Sequence, residues 1–149
     1  MTEPIAMTIR HMKIEDYSLV YGLWTRCTGF TMRDIDDCED AIKTFLKRNP
    51  DTCFVTEDDD GRIIGAILAG HDGRRSRIYH TAVDPDARGR GIGSMLVGRV
   101  VETLRAIGLP KVAVGVPADN DAGNDFWERQ GFAAVSYTHL RAHETSQDL

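Results

Sequence analysis

The stretch Asp84-Pro85-Asp86-Ala87-Arg88-Gly89-Arg90-Gly91-Ile92-Gly93-Ser94 decides how the rest of the chain is read. An apolar, strand-like run, Ile78 to Val83, leads into it. Beyond it Ile92, Leu96, Val100 and Leu104 recur at helical spacing, with Met95, Val97, Val101 and Ile107 on the flanks. Strand, glycine-rich turn and helix together make a place to hold phosphate. The N–H groups at a helix start point outward, and the helix dipole adds a partial positive charge. Gly89, Gly91 and Gly93 let the backbone approach an anion closely, and Arg88 and Arg90 supply counter-charge. A tight, basic, solvated turn between two core elements is the plainer alternative. Two nucleotide fingerprints fit poorly. No lysine follows the glycines as a G-K-[ST] loop requires. The glycines are spaced two apart and come late in the chain, unlike a G-x-G-x-x-G after the first strand.

The length of 149 residues suits one domain, and 42% hydrophobic residues suit a real core. Net charge is 18 − 23 = −5, which argues against a nucleic-acid binder. A small anionic ligand remains compatible, since local charge governs that. No apolar run approaches the length needed to cross a bilayer, and the start lacks a basic-then-apolar secretory pattern. Cys27, Cys38 and Cys53 are odd in number and form no C-x-x-C, which points to free thiols in a reducing, cytoplasmic setting. Cys53 lies in a strand-like run and reads as a core residue.

In chain order, Ile5 to Met12 reads as a strand, and Asp16 is placed to cap a helix over Tyr17 to Trp24. Gly29 interrupts that helix. Acidic residues from Asp34 to Asp40 open a second helix with Ile42, Phe45 and Leu46 on its apolar side, ended by Asn49-Pro50. Thr52 to Thr56 and Arg62 to Gly70 form a hairpin around Asp58-Asp59-Asp60-Gly61. Arg77 to Val83 is the central strand. After the glycine turn and its helix, Gly108-Leu109-Pro110 is a stop and Val112 to Val116 a strand. Asn120 to Gln130 is a short helix with Phe126 and Trp127, and Phe132 to Val135 begins another strand. The order β-α-α-β-β-β-α-β-α-β implies an α/β (α+β) fold with a mixed sheet. His139 and His143 stand four apart, but Glu144 does not complete H-E-x-x-H, so no metal site is expected.

Two motifs together carry a resemblance: Arg88-Gly89-Arg90-Gly91-Ile92-Gly93 after Val83-Asp84-Pro85, and Asn120 with Phe126-Trp127-Glu128-Arg129-Gln130-Gly131-Phe132 about 30 residues later. From Ile5 to about Ser136 the chain resembles the GCN5-related N-acetyltransferase (GNAT) superfamily. Within it, Gly70-His71-Asp72-Gly73, Leu109-Pro110-Lys111 and Val116-Pro117-x-x-Asn120 are similar to the small bacterial YpeA-like acetyltransferases. The resemblance implies a central mixed, mostly antiparallel sheet with a splayed strand pair, flanked by helices. Residues 1–137 would be the acetyltransferase domain. Residues 138–149 lack the apolar alternation of the family's last strand. They read as an atypical tail, with an irregular segment or a partner chain covering the edge, or as a non-native ending. A homodimer is left open.

The implied reaction is transfer of an acetyl group from acetyl-coenzyme A to a primary amine by direct attack in a ternary complex. A non-catalytic acyl-coenzyme-A sensor of the same fold is the alternative. By resemblance, Ala82 and Val83 contact pantetheine and an N–H near Val83 polarises the thioester carbonyl. The N–H groups from Arg88 through Gly89, Arg90, Gly91, Ile92 and Gly93 to Ser94 hold the pyrophosphate, and Asn120 contacts the cofactor arm. Trp127 stands where tyrosine is common and walls the pocket beside the sulfur. Its indole N–H is no proton donor at neutral pH, and Tyr137 and Tyr79 are other hydroxyls. For the base, His80 has a suitable ordinary pKa. Tyr79 and His80 should face opposite sides of the strand, so only one lines the acceptor cleft. Glu57 is an alternative base acting through water, and His71 and Asp72 sit in a loop near the cleft mouth. The acceptor is a small-molecule amine, a peptide N-terminus or a lysine. Asp34, Asp36, Asp37 and Glu39 hint at a cationic acceptor, with a solvated helix face as the blander account.

Overall fold

The structure is a computed structural model that describes residues 6–27, 34–135 and 142–148. Gly29 lies outside the described residues, as do residues 136–141, Tyr137 and His139 among them. The elements in order are β1 (Met7–His11), α1 (Tyr17–Arg26), α2 (Asp34–Asp37), α3 (Glu39–Arg48), β2 (Cys53–Asp58) and β3 (Ile63–His71). There follow β4 (Ser76–Val83), α4 (Ile92–Ala106), β5 (Lys111–Pro117), α5 (Asp121–Arg129), β6 (Ala133–Val135) and β7 (Ala142–Asp148).

One sheet runs β1-β2-β3-β4-β5-β7-β6. Every neighbouring pair is antiparallel except β4 with β5. Strands β2 and β3 are buried almost throughout, because helices cover both faces. Asp58 closes their hairpin, its carboxylate accepting the N–H groups of Asp60 and Arg62, with Gly61 at φ 80°. On one face α4 buries Ile92, Leu96, Val100 and Leu104 against Phe54, Ile67, Ile78 and the valines of β5. On the other, α1 and α3 bury Val20, Leu23, Trp24, Ile42 and Leu46 against Cys53, Val55, Ala66 and Leu68. Gly65 sets the first contact. A Cβ there would stand 2.7 Å from Ile92 Cγ2, so α4 lies on bare backbone.

Three local features differ from the sequence expectation. Asp16 occupies the start of α1 but does not cap it. Its carboxylate instead accepts the Lys13 N–H and both terminal nitrogens of Arg10, each at 2.8 Å, because a 3-10 turn precedes the helix. The single helix expected from Asp34 is two, broken at an extended Cys38. The Asp37 carbonyl accepts the Tyr17 hydroxyl at 2.7 Å rather than continuing the helical ladder. Finally, the edge beside β5 is covered by residues 142–148 of the same chain, paired from Lys111↔Asp148 to Pro117↔Ala142. Strand pairing is made by backbone groups, so low apolar content did not prevent it.

Candidate functional site

Strand β4 leads directly into the glycine turn. Asp84 is 2% exposed, and its carboxylate accepts the Asp86 N–H at 2.9 Å and the guanidinium groups of Arg26 and Arg62, each at 2.9 Å. Burial pushes its pKa up, but the Asp86 N–H and the two arginines outweigh that and hold the carboxyl below its ordinary value. The turn is thereby fixed to the end of α1 and to the β2–β3 hairpin. Gly89 and Gly91 follow at φ 82° and 79°. A Cβ at either would meet nothing within 4 Å, so the left-handed backbone, not crowding, selects glycine. Gly91 begins α4, and no side chain caps that helix. Its first-turn N–H groups are thus open to an anion. Arg88 and Arg90 are exposed, with no hydrogen bond or ion pair among the described residues.

The rest of the expected loop has divided roles. Ile92 is buried over Gly65, and a Cβ on Gly93 would stand 3.0 Å from the Phe126 ring. These two can offer a ligand backbone only. Ser94 Oγ accepts Gln130 Nε2 at 2.9 Å and ties α4 to the end of α5. Asn120 caps α5, accepting the Gly123 N–H at 3.0 Å. Trp127 is buried, edge-on to Phe126 and Phe132, as part of the core wall.

Strands β4 and β5 pair only at Ser76↔Val112, Arg77↔Ala113 and Ile78↔Val114. Beyond Ile78 they part, and the Tyr79–Val83 edge faces a gap. The Asp84 N–H donates to the Ile64 carbonyl at 2.9 Å, across to β3. Strand alternation then turns the N–H and C=O of Val83 the other way, into the gap, and those of Ala82 toward β3. Ala82 presents its methyl to the α1 side of the core. Thr81 shares the direction of Val83, and its hydroxyl is buried with no hydrogen-bond partner among the described residues.

On the α1–α3 face of β4 lies a cavity of about 720 Å³. Its floor carries Arg77, Tyr79 and His80, and its wall Asp36, Asp37 and Phe45. Tyr79 and His80 do not take opposite faces. Leu68 pairs His80 and Ala69 pairs Ile78, which leaves Tyr79 as the extra residue of a β-bulge. The bulge breaks the alternation, and both side chains line the cavity. His80 Nε2 lies 2.7 Å from Asp37 Oδ1, and its ring is edge-on to Trp24 at 5.0 Å. The carboxylate favours a proton on Nε2 and so places the ring's basic lone pair on Nδ1.

Glu57 is elsewhere. It accepts Arg10 Nε at 2.9 Å and is not among the cavity residues. His71 Nδ1 accepts the Gly73 N–H, and Asp72 accepts those of Arg74 and Arg75, so both hold a turn. Sequence reasoning missed Arg77, Thr81 and Asp84 as site residues, and named Asp37 only for its charge toward an acceptor, not as the partner of His80. Asp37 and Asp84 stood in acidic or turn stretches that read as solvated, and nothing in the sequence announced their burial.

Residues 14–132 match the family model described as acetyltransferase (GNAT) family. The chain is 37% identical over 129 residues to an acetyltransferase of Pectobacterium atrosepticum, covering 87% of this chain and 89% of that one. Its backbone is similar to that of Ard1 from Thermoplasma volcanium, with TM-score 0.82, 23% identity, and 97% and 99% of the two chains covered. It is also similar to the PaiA N-acetyltransferase of Thermoplasma acidophilum, solved in complex with coenzyme A. There the TM-score is 0.86, the identity 14%, and 97% and 100% of the chains are covered.

Proposed function

The chain belongs to the acetyltransferase (GNAT) family, and from that membership we propose that it moves an acetyl group from acetyl-coenzyme A to a primary amine by direct attack, with both bound together. The observation that carries this reading is the parting of β4 from β5 after Ile78, beside the uncapped start of α4. One end suits an anion and the other a thin extended arm, and the two are continuous along β4. Acetyl-coenzyme A supplies the activated acetyl group. The first-turn N–H groups of α4, with Arg88 and Arg90, bind the pyrophosphate charge. The Val83 N–H donates toward an oxygen that gains negative charge in the gap. The Thr81 hydroxyl, on the same strand, is buried with no hydrogen-bond partner among the described residues.

His80 takes the proton that the acceptor amine must lose, and Asp37 holds its ring in one tautomer. Trp127 donates no proton and only excludes water. The exposed Tyr79, or water, would supply a proton to the departing sulfur. The free thiols of Cys27, Cys38 and Cys53 suit a reducing, cytoplasmic setting. The reading is tested by incubating the chain with acetyl-coenzyme A and a panel of primary amines. Release of coenzyme A coupled to amine acetylation supports it. Binding with no release for any amine favours the sensor, a reading to which the core-buried Trp127 lends itself.

A further inference from the structure

Charge in the cavity under β4 is balanced, which the acidic run in the sequence did not suggest. Asp36 and Asp37 lie in its wall, but Asp37 is already engaged by His80. Glu39 is not among the lining residues. Against those two carboxylates stand two guanidinium groups, Arg48 from the end of α3 and Arg77 from β4, of which Arg77, like Asp37, is already engaged. Arg77 extends over Gly115, where a Cβ would stand 2.7 Å from its Nη2, so bare backbone on β5 makes room for it. Arg48 is exposed and has no hydrogen bond or ion pair among the described residues. The charges are also segregated, with acids on α2 and cations on α3 and β4. Between them the lining is apolar: Ile42, Phe45 and Leu68, with Tyr79 edge-on to Phe45 at 5.5 Å. A ligand with a single positive charge would satisfy the acidic end and leave Arg48 facing water.

We propose that the acceptor is a primary amine that also carries a carboxylate, with an apolar or aromatic body between them, as in a short peptide. The amine lies toward His80 and Asp37, the body on Phe45 and Tyr79, and the carboxylate toward Arg48. A volume of about 720 Å³ is ample for a dipeptide. Arg48 is the informative residue, because removing it breaks no contact that holds the fold. This inference rests on the acetyltransferase reading for which end the amine takes.

The test is direct binding of glycyl-phenylalanine and of glycyl-phenylalaninamide by titration calorimetry, with coenzyme A titrated in parallel. The acid should bind about tenfold more tightly than the amide, the size of one charge-assisted contact. Arg48→Ala should bring the two to near parity and leave coenzyme A binding unchanged. Equal affinity of acid and amide in the native chain, or equal weakening of both by Arg48→Ala, overturns the inference. Failure of coenzyme A to bind overturns the acetyltransferase reading instead. Acetylation rates with the same pair give a second readout. The acid should have the lower KM at similar kcat, because the carboxylate lies away from the reacting amine.

Discussion

His80 owes its position to neighbours on three elements: Leu68 opposite it on β3, Trp24 edge-on from α1, and Asp37 at 2.7 Å from α2. A histidine so oriented should matter for rate more than for binding. His80→Ala is expected to lower kcat by about a hundredfold or more and to change the coenzyme A Kd by less than about twofold, the difference being made in the transition state. Equal losses in both would remove it from catalysis. Asp37→Asn should give a smaller loss and an altered pH profile, measured as kcat/KM against pH, since only the orienting charge goes. The thiols form an internal comparison. Burial pushes the Cys53 thiol up to about 12, while Cys38 is exposed. A thiol reagent at neutral pH should therefore label Cys38 first and Cys53 only on unfolding. Rapid labelling of Cys53 in the native chain would contradict its placement. At this scale the sequence singled out His80 by its chemistry. It could not supply Asp37, because a buried carboxylate and a solvated one look alike in a run of acids. The alternation rule also misplaced Tyr79, because no residue type marks the bulge that resets it.

Helix α4 is the element on which the donor side depends, and glycines control its approach and its start. Gly65→Ala would drive a Cβ to within 2.7 Å of Ile92 and 3.2 Å of Leu96. It should cost about 1–3 kcal/mol in a urea melt, by overpacking. Gly91→Ala meets no atom within 4 Å, so its cost is backbone strain alone, roughly 1–2 kcal/mol. The two should nevertheless both weaken coenzyme A, because each displaces the helix start that receives the anion. The strand-turn-helix unit was legible in the sequence from its apolar spacing and glycines. The broken α2–α3 pair was not, because its break comes from the Tyr17 hydroxyl reaching the Asp37 carbonyl, a contact 20 residues apart in the chain. Strand β7 was missed for another reason: sheet pairing can proceed without the alternation by which strands are recognised.

Across the whole molecule, two buried carboxylates couple folding to pH. Asp16 and Asp84 both have folded pKa values below the ordinary one. In each, burial acts upward and is outweighed, by Arg10 and the Lys13 N–H for Asp16 and by the Asp86 N–H, Arg26 and Arg62 for Asp84. A lowered folded pKa gives stability that is present above the ordinary carboxylate range and is lost as pH falls through the folded value. The urea midpoint should hold near neutral pH and fall steeply in acid. Asp84→Asn should start about 2 kcal/mol lower at neutral pH, allowing for arginines that re-solvate, and should lose less on acidification. The same carboxylate joins α1, the hairpin and the glycine turn, so stability and donor binding are linked through it. The order of elements to β6 and the mixed sheet were expected from the chain's patterning, and the parting of β4 from β5 from the resemblance that the paired motifs carry. The cavity's balance of charge emerged only when α2, α3 and β4 were brought together.

The central claim is that the left-handed turn and bare start of α4 hold the anionic end of coenzyme A along the edge of β4. Calorimetric titration of coenzyme A into the native chain and into Gly91→Val measures this most directly. The expected result is one equivalent bound by the native chain, and at least about tenfold weaker binding by a variant whose β-branched residue resists φ 79°. No binding to the native chain, or equal binding by a folded variant, would contradict it.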